Sequence, residues 1–241
     1  FHNGLEEEFF QPGFSFQKIV RDPYRIAYCG HPTKGLDASI GILNLLRKRE
    51  KRFHLHVFGG NGLYGAKDVE MDEKEGVTFR GTIGQLPLAR ELQRCTFDLH
   101  LQERLEPFGI TLIEAMRAGC VALASPVGAY PEIVQNGRDG FLIPGNCLSP
   151  ETQQMAADLI LELDRRPEWI KYIRSNAVKT PLNWDILAQA WAGHWEWMLK
   201  DQTRLPPLSH LSVCKQCGEY SWLPLADGYH CTHCGFYERV L

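Results

Sequence analysis

Long apolar runs, excess charge of either sign and paired cysteines are all scarce over most of this chain. None of its apolar stretches approaches the roughly 20 residues needed to cross a bilayer, and no basic segment followed by an apolar one opens it. A membrane anchor and a secretory leader are therefore not expected. Lys and Arg number 26 against 29 Asp and Glu, a net charge of −3 with histidine neutral. That balance supplies no basic field to attract nucleic acid or an anionic membrane. Four cysteines, Cys29, Cys95, Cys120 and Cys147, are scattered through apolar surroundings without paired spacing. They read as small buried hydrophobes, which argues against a secreted disulfide framework. Internal repeats and low-complexity segments are also missing.

What remains is ordinary globular composition, with 44% hydrophobic and 23% charged residues in a chain of 241. That length suits one medium domain with a small module. The chain opens on Phe1 rather than Met, which predicts a fragment or a processed product. Residues 1–200 read as an α/β domain that ends in helices. Residues 201–210, with Pro206-Pro207 at their centre, read as a linker, and residues 211–241 as a cysteine module.

Within the first region, short apolar runs alternate with amphipathic ones. Strands are expected at Arg25–Cys29, Phe53–Phe58, Val77–Phe79, Phe97–Leu101, Val121–Ala124 and Phe141–Ile143. Helices are expected at 36–51, 87–94 and 110–118, with a short one from Pro131 and two or three more over 150–200. Strands separated by helices imply a doubly wound parallel sheet, and such sheets bind ligands beyond the carboxyl ends of their strands. Gly30, Gly59, Gly81, Glu106 and Gly128 all fall at or beyond those ends.

The densest local signal is Glu106-Pro-Phe108-Gly109-Ile110-Thr-Leu-Ile-Glu114-Ala-Met-Arg-Ala-Gly119. Ile110, Ile113 and Met116 recur at helical spacing, Gly109 precedes the run and Gly119 follows it, where helix C-termini favour glycine. The helix N-terminus then opens at Phe108-Gly109-Ile110, and its unpaired N–H groups and dipole favour an anion. Glu106 lies in the loop before it and Glu114 one turn in. A capped helix with two solvated acids is the plainer alternative.

This run resembles the signature of retaining family-4 (group 1) glycosyltransferases, whose two-domain architecture is called GT-B. The resemblance implies that this chain is the donor-binding, Rossmann-like half of such an enzyme. It implies that Glu106 and the nearby backbone amides, from Phe108, Gly109 and Ile110, hold the donor sugar and its diphosphate. Glu106 is the carboxylate expected nearest the anomeric carbon. Glu114 is expected to accept hydrogen bonds from the ribose hydroxyls. Lys34, in Gly30-His-Pro-Thr-Lys34-Gly35, matches the family's Lys-Gly pair that binds the diphosphate. Many members carry an Arg earlier in a longer loop, and here His31 stands nearest that place. Gly59-Gly60, Gly81-Thr82-Ile83 and Gly128, in Val127-Gly-Ala-Tyr-Pro-Glu132, resemble the family's turns near the nucleotide, the base and the sugar. The family usually has a second glycine where Ala129 stands. No Asp-x-Asp pair occurs, so sugar transfer is expected to need no metal. Retention through front-face attack is the favoured route, with double displacement as the other. The acceptor, a saccharide, lipid or other molecule, would be held by an N-terminal domain that this chain lacks.

Cys214-Lys-Gln-Cys217 and Cys231-Thr-His-Cys234 are separated by 13 residues. Each C-x-x-C presents two thiolates to one tetrahedral ion, and four thiolates close the site. The pattern predicts a structural zinc in a module that resembles a zinc ribbon, with a redox dithiol as the rival reading. Among residues 211–241 only Lys215 and Arg239 are basic, against Glu219, Asp227 and Glu238. That disfavours phosphate binding, and Tyr220, Trp222, Tyr229 and Tyr237 suit a protein partner better. A reducing, cytoplasmic setting is expected, peripheral to a membrane through the missing domain. Two other readings stay open: a non-enzymatic protein that keeps the nucleotide-sugar pocket, and a zinc-ribbon adaptor whose α/β domain serves assembly.

Overall fold

The computed structural model describes residues 19–60, 74–179 and 184–200, together with the backbone of three short strands near the C-terminus. The chain divides into two compact units, one of residues 6–180 and one of residues 1–5 with 181–241.

In the larger unit the expected alternation is present. The strands are β1 (Asp22–Cys29), β2 (His54–Phe58), β3 (Val77–Gly81), β4 (Cys95–His100), β5 (Val121–Ala124) and β6 (Phe141–Leu142). They form one sheet in the order β3-β2-β1-β4-β5-β6, and every pairing is parallel. The chain winds outward from β1 to β3, then returns to place β4 on the other side of β1. The switch point therefore lies between β1 and β4, where a crevice forms beyond the strand ends. β4 is buried along its whole length, as a central strand covered on both faces requires.

Helix α1 (Leu36–Arg47) buries Leu36, Ile40, Ile42, Leu43 and Leu46. These join Ile26, Leu55, Phe97, Leu99 and Leu123 from the sheet in one core. Each such side chain contributes about 1.5–3 kcal/mol by leaving water. The helix was expected to run to Lys51 but stops at Arg47. Arg47 donates from its guanidinium to the carbonyls of Lys51 (2.6 Å) and Phe53 (2.8 Å) and turns the chain into β2. Helix α2 (Gln85–Gln93) starts two residues before the expected Pro87, because a proline in the first turn costs no hydrogen bond.

Helix α3 (Ile110–Arg117) ends in a complete Schellman motif. The Cys120 amide donates to the Ala115 carbonyl at 2.9 Å and the Gly119 amide to the Met116 carbonyl at 2.9 Å. Two guanidiniums close the same end: Arg21 donates to the Ala118 carbonyl (2.6 Å) and Arg174 to that of Gly119 (2.8 Å). Cations there complement the helix dipole. After the one-turn helix α4 (Tyr130–Ile133) come α5 (Pro150–Asp164) and α6 (Pro167–Ala177). The Ser149 hydroxyl caps α5 by accepting from the Thr152 amide. The four scattered cysteines are buried free thiols, as expected.

The smaller unit contains helix α7 (Trp184–Lys200) and an antiparallel sheet of β7 (Trp222–Leu225), β8 (Gly228–Cys231) and β9 (Tyr237–Arg239). Cys214, Cys217 and Cys234 of the expected zinc set lie outside the described residues, and Cys231 ends β8. No described helix is long and apolar enough to cross a membrane.

Candidate functional site

A cleft of about 180 Å³ opens at the β1–β4 switch point. Three segments make it: the turn after β1, the loop after β4 with the first turn of α3, and the loop after β5. After β1, residues Pro32–Lys34 form one turn of 3₁₀ helix whose start is capped by His31, with Nδ1 accepting from the Thr33 amide. Gly35 then sits at φ +119°, and a Cβ there would lie 1.9 Å from the Leu101 carbonyl. Only glycine lets this turn press against the end of β4, and that contact carries Lys34 across the switch point.

There Lys34 meets Glu106. The Lys34 ammonium donates to Glu106 Oε2 at 3.0 Å, with the side chains 32% and 15% exposed. Glu106 Oε1 accepts from the Gly109 amide at 3.3 Å. Gly109 is the N-cap of α3 but offers no side-chain cap. The first-turn amides are thus open to an acceptor from outside the helix, and Glu106 serves as one. Burial pushes the Glu106 carboxyl upward, but the bonds from Lys34, Gly109 and Phe108 outweigh it and hold the group below the usual carboxylate range.

The third segment locks this arrangement. The Ala129 amide donates to the Glu106 carbonyl at 2.8 Å. Gly128, at φ +57°, packs so closely that a Cβ would sit 2.2 Å from the same carbonyl oxygen. Gly128 therefore shapes the site without lining it. Gln102 donates from its amide to the Ser125 hydroxyl at 2.9 Å, which ties the loops after β4 and β5 together.

Of the residues singled out in the sequence, Gly30, His31, Lys34, Glu106, Phe108 and Ile110 line the cleft. Ile110 does not belong to the buried stripe of α3, as its spacing suggested. It is 36% exposed, and Leu112, Ile113 and Met116 form that stripe instead. Phe108, 42% exposed, is the other apolar group at the mouth. Glu114 stands apart from the lining. It is 5% exposed and accepts from the Gln85 side-chain amide at 3.1 Å, which links it to the start of α2 just beyond Gly81-Thr82-Ile83.

Sequence reasoning missed the floor. Asp98 and His100 are two apart on β4 and share a face, with His100 Nε2 2.8 Å from Asp98 Oδ2. The pair is close but poorly aligned, and neither Asp98 oxygen receives a hydrogen bond from the described residues. His100 Nδ1 lies 3.4 Å from the Tyr130 hydroxyl, and both residues line the cleft. Tyr28 lines it from β1 and donates its hydroxyl to the His31 carbonyl at 2.7 Å. The signal available was positional: Tyr28 is the last residue but one of β1 and His100 the last of β4, the two strands that flank the switch point.

This geometry can hold an anion on α3 amides and Lys34, beside apolar and hydroxyl-bearing walls. The comparisons with known proteins agree with it. A family model described as glycosyl transferases group 1 matches residues 17–176. Glycogen synthase of Pseudomonas syringae pv. syringae is 26% identical over 176 residues, 69% of this chain and 34% of that protein. D-inositol 3-phosphate glycosyltransferase of Streptomyces scabiei is 41% identical over 70 residues, 29% of this chain and 16% of that protein. The chain thus spans about a third of the first relative's length and less of the second's. Among solved structures, Anabaena HepE in complex with UDP-glucose superposes with a TM-score of 0.57 at 20% identity. The match covers 72% of this chain and 48% of that one.

Proposed function

The chain belongs to the group 1 glycosyl transferases, and from that premise we propose that it is the donor-binding portion of a retaining, family-4 glycosyltransferase. The substrate of this portion is a nucleotide-diphosphate sugar. The observation that carries the reading is the meeting of Lys34 and Glu106 at 3.0 Å over the first amides of α3, at the switch-point cleft.

In this reading Lys34 and the amides of Phe108, Gly109 and Ile110 take the diphosphate. Their positive ends stabilise the charge that grows on the departing nucleotide. Glu106 takes hydroxyls of the sugar, and Glu114, beside the α2 start, takes the ribose. His31 is the second polar group at the phosphate end. The acceptor attacks from the face that the leaving group vacates, which retains the anomeric configuration without a covalent enzyme intermediate. The acceptor site belongs to the remainder of a longer protein, and no metal takes part in transfer. A structural zinc on Cys214, Cys217, Cys231 and Cys234 completes the C-terminal module, which docks a protein partner.

Calorimetric titration tests the first claim. UDP-glucose or another nucleotide sugar should bind this chain, and Lys34→Ala should weaken binding about tenfold or more, the worth of a charged hydrogen bond. A chain that binds no nucleotide sugar at millimolar concentration defeats the reading. Turnover by a longer parent protein, with the product anomer read by NMR, then separates an enzyme from a protein that binds the donor without transferring it.

A further inference from the structure

We propose that Glu106 is an internal occupant of the phosphate cradle and so sets the preference of the cleft for an intact sugar nucleotide over the sugar-free nucleoside diphosphate. The inference rests on the reading of the cleft as a donor site.

The groups that a diphosphate would use already hold a carboxylate. Glu106 Oε2 takes the Lys34 ammonium at 3.0 Å and Oε1 takes the Gly109 amide at 3.3 Å. A carboxylate oxygen and a phosphate oxygen are equivalent acceptors for a helix N-terminus and an ammonium. The single N–H of Gly109 cannot serve both, whereas the Lys34 ammonium has three N–H donors and can be shared. A diphosphate that takes the Gly109 amide must therefore lift Glu106 Oε1 off it and share Lys34 with the carboxylate. The displaced carboxylate then stands beside two phosphates, half-buried, and needs a new hydrogen-bond donor in place of Gly109.

The two kinds of ligand differ in what they offer it. A sugar nucleotide carries hydroxyl donors directly beyond its second phosphate, within reach of a side chain that has just left the cradle. A nucleoside diphosphate ends there in phosphate oxygens, which accept and do not donate. Displacement is thus compensated for the intact donor and uncompensated for the free nucleotide. After transfer, the sugar is gone, Glu106 loses its hydroxyl partners, and its return to the Gly109 amide and to full pairing with Lys34 opposes the retained product. One side chain favours loading of the donor and release of what the donor becomes.

The backbone around Glu106 is fixed independently of its carboxylate, through the Ala129 amide and the close approach of Gly128. Truncation of the side chain therefore empties the cradle without removing what holds the loop. The test measures affinities of the full chain and of Glu106→Ala for inorganic diphosphate, UDP and UDP-glucose by calorimetry. Glu106→Gln, which keeps the shape and removes the charge, is a second variant should the first fail to fold. In either variant, diphosphate and UDP should bind at least tenfold tighter. UDP-glucose should gain less or lose, so that the UDP-glucose to UDP preference collapses. Unchanged or weaker UDP and diphosphate binding overturns the inference. So does an equal gain for UDP and UDP-glucose, because loss of negative charge alone would produce that. A wild-type chain that binds none of the three probes overturns the donor-site reading itself, a different pattern from wild-type binding that the substitutions leave unmoved.

Discussion

Glu114 shows how burial at a single residue costs stability. Burial raises its carboxyl above the ordinary carboxylate range; the Gln85 hydrogen bond and His100 oppose the rise, and Asp98 adds to it. Between the unfolded and folded pKa values the unfolded chain releases a proton that the folded chain keeps. Stability therefore falls as pH rises through that window and stays lower above it. Glu114→Gln should stabilise the chain at pH 7.5 by about 0.5–2 kcal/mol, the range common to single stabilising substitutions. The gain should vanish below about pH 4, where the unfolded glutamic acid is protonated too. Urea melts at the two pH values measure it. An equal gain at both would show that the effect is not charge. If Glu114 takes the ribose as proposed, the same substitution should weaken nucleotide-sugar binding, since an amide offers one acceptor oxygen where the carboxylate offers two.

At the scale of elements, β4 carries a buried Asp–His pair that no periodicity announced. Asp98 is fully buried and His100 nearly so, with 2.8 Å between their closest atoms. Removing the imidazole leaves the buried Asp98 carboxyl without its nearest polar neighbour, at a cost of about 1–3 kcal/mol. His100→Leu should show that loss in chemical denaturation. Asp98→Asn should cost less, and the double variant should resemble Asp98→Asn alone. Additive losses would mean that the two groups are not coupled. The contrast with the rest of β4 explains what was legible beforehand. Short apolar runs located all six strands of the parallel sheet, most densely at β4 and β5, where burial on both faces leaves few polar positions. Gly109 and Gly119 bracketed α3 because a left-handed residue at each end leaves few choices but glycine. Glu106 and Lys34 were legible as residues of the cleft, but their meeting at 3.0 Å was not, since it depends on two turns 72 positions apart. The ends of elements were less legible. Arg47 shortens α1 by reaching carbonyls beyond it, a choice made by geometry and not by hydropathy. Ile110 fits a helical stripe in sequence and yet faces the cleft.

For the molecule as a whole, the division into two units carries a consequence for metal and ligand. Residues 6–180 form their own compact unit, with the six-stranded sheet and the cleft, while residues 181–241 cluster separately. A three-stranded sheet of four, four and three residues is too small to be held by apolar burial alone. Four cysteines in two C-x-x-C pairs in the same stretch of sequence offer another source of folding energy. Structural zinc in such modules is worth about 10–16 kcal/mol of apparent binding free energy at pH 7. We therefore expect one zinc per chain by elemental analysis of protein purified without chelator. Removal with a strong chelator should abolish a low-amplitude thermal transition assigned to the C-terminal unit, and added zinc should restore it. None of the described residues that line the cleft belongs to that set, so UDP-glucose affinity should stay within about twofold, under about 0.5 kcal/mol. A chain with no zinc that still shows both transitions would refute the ribbon and return the four cysteines to redox chemistry. A chain that loses donor affinity along with its zinc would show instead that the two units fold as one.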